Sequence, residues 1–195
     1  KRIFKFSGLI MPIKFLDLKT THNAIQEEIQ GAIFSTLNSG VYIGGDSVDE
    51  FEASYASYLN CKYCVGVGNG LDAIKLSLMA LDIKEGDEVI VPSHTFIATW
   101  LAVSSLGAIP VPVEPDVDSF SIDVSKIEPV ITEKTKAIIP VHLYGEPADL
   151  DKIIKIATTY NLYIVEDAAQ AHGAKYKDKK IGSHGDIVAW SFYPG

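Results

Sequence analysis

Cysteine is scarce in this chain. Cys61 and Cys64 are the only two among 195 residues, in the spacing C-x-x-C. That spacing can mark a redox pair or half a zinc site, but no second pair completes a tetrahedral shell. The surrounding CKYCVGV alternates like a strand, so plain strand cysteines in a reducing cytoplasm are expected. Long apolar runs are missing as well. None approaches the roughly 20 residues a membrane helix needs, and the N-terminal KRIFKFSGLIMPIKF is interrupted by Lys5 and Lys14. Neither a membrane span nor a signal peptide is expected. Basic residues are in deficit, 17 against 25 acidic, for a net charge of −8. This argues against broad binding to nucleic acid or anionic membrane, but leaves room for a local anion pocket built from backbone groups. There is no Gly-x-Ser-x-Gly elbow and no metal-spaced His/Asp cluster.

Hydrophobic residues make up 47% of the chain, enough for one substantial core. Residues 1–12 are expected to be an N-terminal extension, lying upstream of a start at Met11 or simply fraying, and 13–195 to form the folded domain. In HNAIQEEIQGAIFSTL, Ile25, Ile29, Ile33 and Leu37 share one face, which predicts an amphipathic helix packed on the main body. A glycine-containing loop after Gly40 leads into a second helix, with Asp46 or Ser47 as its cap.

From Lys62 the chain alternates strand-like and helix-like pieces. Strands are predicted at KYCVGV, EVIVP, AIPVPV, KAIIPVHLYG, LYIVEDA and the final IVAWSF. Helices are predicted at LDAIKLSLMAL, FIATWLAVSSLG, a segment ending near Ile131, and ADLDKIIKIATTYN, and a polar hairpin at KYKDKKIG. Short apolar strands joined by such crossovers predict an α/β fold: three layers, a mostly parallel sheet with helices on both faces.

Ligands of open α/β sheets gather beyond the carboxyl ends of the strands. The clusters GNGLD, PSHTF, HLYGE and EDAAQAH all fall at such ends and are expected to converge on one cleft. In GVGNGLDAI, glycines precede a helix whose free N–H groups and positive dipole end suit a phosphate. A tight strand-to-helix turn without ligand is the other reading. A dinucleotide fingerprint is opposed by the glycine spacing and by Pro92, which stands where an acidic residue would close the next strand. Glu166 and Asp167 point to opposite faces, so at most one enters the cleft from its strand. A buried Asp without a nearby Lys or Arg suits a ligand cation such as a protonated pyridine nitrogen. A carboxylate capping a turn is the alternative. His94 and Phe96 can offer an aromatic plane beside the phosphate pocket, although such residues, and Trp100 above all, are more often core. His142 and His172 are candidate acid–base groups or satisfied structural histidines.

In this order the pieces FLDL, GVYIGG, GNGLDAI, GDEVIVPSHTFIAT, KTKAIIPVHLYGEPADL, VEDAAQAHGA and SFYPG resemble the sugar aminotransferases of the DegT/DnrJ/EryC1/StrS family, from about Ile13 to Gly195. The resemblance implies the large domain of a pyridoxal 5′-phosphate enzyme of fold type I, cytoplasmic and homodimeric. It implies a transfer of an amino group, with glutamate as the expected donor, to a keto group of a nucleotide-linked deoxysugar. The wording looks closest to members that aminate C3 of a dTDP-3-keto-6-deoxyhexose. By the same resemblance, the backbone of Gly70 and Leu71 with the hydroxyl of Ser191 holds the cofactor phosphate. Phe96 stacks on the pyridine ring, Asp167 pairs with the ring nitrogen and Gln170 bonds the phenolic oxygen. Many relatives have Thr where this chain has Leu71, so one side-chain hydrogen bond is missing here. The cofactor-binding lysine is expected directly after Gly195. These 195 residues, without that lysine, the rest of the large domain and the small domain, are expected not to transaminate alone. A histidine in the lysine's place implies a sugar dehydratase of the same family. Loss of the lysine from the gene implies a non-catalytic cofactor-binding or regulatory protein.

Overall fold

The computed structural model describes residues 14–193. The expected extension at residues 1–12, the start at Met11, and Pro194 and Gly195 lie outside the described residues. Residues 14–47 form one compact unit and Val48–Tyr193 a second.

In the first unit the single predicted helix is two, α1 (Leu18–Ala24) and α2 (Gln26–Ser39). Asp17 caps α1 by accepting from the Thr20 amide at 3.3 Å, and the chain leaves helical geometry at Ile25 (φ −127°, ψ 26°). Gly40, left-handed at φ 69°, closes α2. α2 has no buried residue, and Ile33 and Leu37 are each about half exposed.

The second unit carries a five-stranded sheet in the order β2-β1-β3-β4-β7, with every neighbouring pair parallel. The strands are β1 (Glu88–Pro92), β2 (Ile109–Val113), β3 (Thr135–Ile138), β4 (Tyr163–Asp167) and β7 (Ile187–Ala189). Pro110 and Pro112 cannot donate to a ladder, which fits β2 at an edge. The helices are α3 (Asp46–Leu59), α4 (Gly70–Ala80), α5 (Ala98–Ser104) and α6 (Leu150–Tyr160). The predicted polar hairpin is the antiparallel pair β5 (Lys175–Tyr176) and β6 (Lys179–Lys180).

Side chains alternate across the sheet and divide the core in two. Val89, Val91, Ala137, Ile139 and Val165 pack with Ile74 and Leu78 of α4 and Ala102 and Val103 of α5. Ile90, Ile138 and Ile164 pack on the other face with Ile153, Ile156 and Ala157 of α6. Buried residues at 150, 153, 156 and 157 give α6 its apolar stripe, between the cap at Asp149 and the left-handed Asn161 (φ 54°). The same alternation puts Asp167 on the α4/α5 face with Val165, and Glu166 on the α6 face with Ile164.

Several predicted elements differ: the strand expected at IVAWSF ends at Ala189, and that expected at KAIIPVHLYG ends at Ile138, ahead of a 3₁₀ turn at Leu143–Gly145. Lys62–Val67 is irregular rather than a strand: it has no ladder partner among the described residues, and Val65 is 74% exposed. The helix expected to end near Ile131 is two 3₁₀ turns, Val124–Lys126 and Glu128–Val130. Asp123 caps the first turn, and Pro129 lies at the start of the second, where its missing N–H costs nothing.

Ile153 is fully buried on α6. Ile153→Ala is therefore expected to cost about 2–5 kcal/mol by cavity formation, whereas exposed Lys155→Ala stays within about 0.5 kcal/mol. Denaturant melts of the two variants check this.

Candidate active site

The strand order reverses at β1: the chain crosses from β1 to β2 on one side, and then to β3, β4 and β7 on the other. Such a reversal is where open α/β sheets bind ligands, in a crevice beyond the carboxyl ends of the diverging strands, here β1 and β3. His94 and Phe96 follow β1, and Tyr144 follows β3. The Tyr144 hydroxyl lies 3.4 Å from His94 Nε2 across that crevice.

Asp167 ends β4 and is 5% exposed. Its main chain is fixed on both sides, the amide donating to Pro140 and the carbonyl accepting from the His142 amide. The Thr99 hydroxyl donates to Oδ2 at 2.8 Å, and the Ala169 amide to Oδ1 at 3.2 Å. Since that hydrogen of Thr99 is committed, the Thr95 hydroxyl, 2.9 Å away, is the donor to Thr99. None of the ion pairs among the described residues involves Asp167. Burial pushes its carboxyl above the ordinary carboxylate value, outweighing the bonds from Thr99 and Ala169.

Glu166 is treated differently. It is fully buried, yet both oxygens are matched: Oε2 by His142 Nε2 at 2.8 Å and Oε1 by the Gly185 amide at 2.5 Å. The Ala148 amide donates to His142 Nδ1, so the ring hydrogen sits on Nε2 and is given to Glu166. His142 is thus a structural partner and not a free acid or base.

At the α4 end, Asn69 accepts from the Asp72 amide at 2.9 Å. The N–H groups of Gly70 and Leu71 are left without an intrahelical partner. A Cβ on Gly70 would stand 2.9 Å from the Ser191 Cβ, so glycine is what lets Ser191 close over this turn. The Ser191 oxygen accepts from the Tyr193 amide at 3.3 Å, which leaves its hydrogen to donate. Ala189 is the register partner of Asp167, and Ser191 lies two residues further along. It belongs to the irregular chain that follows β7, past the end of the ladder with β4.

The remaining sequence candidates lie around this line. Phe96 is 71% exposed, and its carbonyl accepts from the Thr99 amide, so it sits one turn from the residue that holds Asp167. Gln170 is exposed, and its Oε1 accepts from the Tyr144 amide at 2.7 Å, which frees its NH₂ group to donate outward. Trp100 is partly buried against the core and donates to the Pro92 carbonyl at 3.0 Å. Leu71 contributes no polar side chain. Thr99, Tyr144 and Tyr55 were not foreseen. A threonine on the apolar stripe of FIATWLAV was the available sign for Thr99; the other two depend on contacts 26 and 117 residues apart.

The DegT/DnrJ/EryC1/StrS aminotransferase family matches residues 23–195. The chain belongs to this family. It is 55% identical over 180 residues to dTDP-3-amino-3,6-dideoxy-alpha-D-galactopyranose transaminase of Aneurinibacillus thermoaerophilus, covering 92% of this chain and 50% of that protein. It is 50% identical over 183 residues to dTDP-3-amino-3,4,6-trideoxy-alpha-D-glucose transaminase of Streptomyces venezuelae, covering 94% of this chain and 48% of that protein. The X-ray structure of DesV from S. venezuelae superposes with a TM-score of 0.91 at 50% identity, covering 93% of this chain and 49% of that one. NtdA from Bacillus subtilis, solved with bound cofactor PMP, superposes at 0.86 with 35% identity, covering 95% and 42%. The fold is that of the fold type I aminotransferases. The chain spans about half the length of the curated relatives it matches. Among the described residues no helix is long and apolar enough to cross a membrane, and no cluster of three or more His, Cys, Asp or Glu side chains could hold a metal.

A carboxyl whose folded value is raised is penalised when charged. The native state binds the extra proton above pH 3.8, the ordinary value, so Asp167 lowers stability as pH rises from there toward its folded value. In cofactor-free protein Asp167→Asn, whose oxygen can still accept from the Ala169 amide while its NH₂ turns to donate to the Thr99 oxygen, is expected to raise Tm at neutral pH. The gain should vanish below about pH 4. Thermal melts across pH check the sign.

Proposed function

We propose that this chain holds pyridoxal 5′-phosphate for a cytoplasmic, homodimeric aminotransferase that moves an amino group from glutamate to the keto group of a dTDP-3-keto-6-deoxyhexose or a close nucleotide-linked relative. The observation that carries the reading is Asp167: a buried carboxylate, hydrogen-bonded but without a cation, at the crevice end of the sheet. Its surroundings fit the cofactor at both ends. The lack of a cationic partner suits a protonated pyridine nitrogen, and the open amides of Gly70 and Leu71 beside the Ser191 hydroxyl suit a phosphate.

When bound, the cofactor supplies an electron sink for the charge left by removal of an α-proton. Asp167 keeps the proton on the ring nitrogen, and Thr99 and Ala169 hold the carboxylate in place for it. The Gly70 and Leu71 amides and the Ser191 hydroxyl grip the phosphate, with the positive end of α4 behind them. Phe96 covers the ring face. Gln170 donates its free NH₂ to the phenolic oxygen. The relatives with dTDP-sugar names support the substrate class, and the PMP-bound neighbour supports the cofactor.

The test uses the complete gene product with pyridoxal phosphate, glutamate and dTDP-3-keto-6-deoxyhexose, following release of 2-oxoglutarate. Asp167→Ala is expected to lower kcat by about 10²–10³-fold, as loss of one preorganised electrostatic partner does. Ser191→Ala should chiefly weaken cofactor binding, by about 3- to 10-fold. Wild-type protein that forms no 2-oxoglutarate with any nucleotide-linked keto sugar would refute the reading.

A further inference from the structure

Beside the phosphate end, a second polar chain joins Ser191 to α3. The Ser191 carbonyl lies 2.7 Å from His172 Nε2, and a carbonyl oxygen only accepts, so that nitrogen carries the hydrogen. The other ring nitrogen, Nδ1, lies 2.9 Å from the Tyr55 hydroxyl. In a neutral ring Nδ1 is the acceptor, and the phenol donates to it. Burial, with the Cys64 thiol close by, pushes the Tyr55 phenol far above its ordinary range, so it stays a donor at any physiological pH. The His172 ring lies 4.9 Å, centre to centre, from each of Trp190 and Phe192, the residues on either side of Ser191. Tyr55 meets the same two rings edge-on at 5.7 and 5.3 Å. With both ring nitrogens engaged, His172 has no free site for acid–base work. Its one evident effect is to hold residues 190–192, which follow β7 as irregular chain, against α3.

We propose that Tyr55 and His172 are positioning residues: through the Ser191 carbonyl they set the Ser191 hydroxyl over the Gly70 turn, and so determine how well the chain discriminates a phosphorylated cofactor from its dephosphorylated form. Both act through the Ser191 main chain, since the Tyr55 hydroxyl and both His172 ring nitrogens are engaged within the relay. The inference rests on the function proposed above, and its effect is confined to the phosphate. Loss of the relay should therefore spare the ring contacts made by Asp167, Phe96 and Gln170.

The experiment measures dissociation constants of pyridoxal 5′-phosphate and of pyridoxal, by absorbance, in the complete gene product. The variants are Tyr55→Phe, His172→Phe, Ser191→Ala and the double variant His172→Phe/Ser191→Ala. Tyr55→Phe removes a single oxygen and retains the edge-on ring contacts, so it reports even where His172→Phe folds poorly. Each of Tyr55→Phe and His172→Phe is expected to weaken the phosphorylated form by about 3- to 10-fold while leaving pyridoxal unchanged. Ser191→Ala should add little in the His172→Phe background, because both changes act through one hydroxyl. Equal weakening of both ligands, no weakening of either, or full additivity with Ser191→Ala overturns the relay while leaving the aminotransferase reading intact. Wild-type protein that binds neither ligand overturns both.

Discussion

The site depends on the cost of burying one carboxylate at the end of β4. Asp167 cannot retreat: its amide and carbonyl are tied to Pro140 and His142 on the neighbouring chain segment, and strand alternation commits its side chain to the α4/α5 face. Thr99 and Ala169 each supply a hydrogen bond but no charge. Such bonds recover part of the lost hydration and leave the group still penalised when ionised. Glu166, its sequence neighbour, is more deeply buried and fully matched by His142 and Gly185. Two adjacent acids on opposite faces of one sheet thus meet different fates, one as an internal strut matched at both oxygens and one hydrogen-bonded by neutral donors alone. That difference, rather than the presence of acidic residues, separates the site from the scaffold.

The second constraint is topological. Reversal of strand order at β1 makes the loops after β1 and β3 diverge, and the chain has placed its exposed ring-bearing residues, His94, Phe96 and Tyr144, on those two loops. The loop after β4 brings Gln170 under Tyr144 and His172 under Ser191, and α4 begins beside the end of β7. Segments from 69 to 193 therefore border one region. The loops after β1, β3, β4 and β7 reach it because parallel strands end there, whereas the turn before α4 follows irregular chain and arrives against Ser191.

Much of this was legible in the sequence, for reasons that differ by element. β1, β3 and β4 stood out because each carries a short apolar core, Val89–Val91, Ala137–Ile138 and Ile164–Val165, as buried parallel strands do, and α6 because its stripe at 150, 153, 156 and 157 is regular. Lys62–Val67 misled, because alternation records only which face a side chain would take; a strand also needs a neighbour to bond. The segment before Ile131 misled because short apolar spacing suits a 3₁₀ turn as well as an α-helix. Asp167 stood out by its position after LYIV, and Gly70 by the glycines before a helix. The partner of Thr99 and the pairing of Tyr55 with His172 could not be read, since nothing local to either segment encodes a hydrogen bond to a residue 68 or 117 positions away.

Tyr144 shows how such long-range contacts shape the local chain. It is left-handed at φ 58°, and Gly145 follows at φ 85°. A left-handed tyrosine costs about 1–2 kcal/mol relative to ordinary backbone, so something must hold it there. The turn it forms points its amide at Gln170 Oε1, and the added Cβ that Gly145 lacks would lie 3.4 Å from the Gln170 carbonyl. A freely rotating glutamine amide presents oxygen or nitrogen to its surroundings with little preference. Once the Tyr144 N–H has taken the oxygen, only the NH₂ end remains, and Gln170 is a donor by construction. In the proposed reading that is the polarity an ionised phenolic oxygen requires, so the backbone strain at Tyr144 is spent on fixing the orientation of one side-chain amide before any ligand arrives.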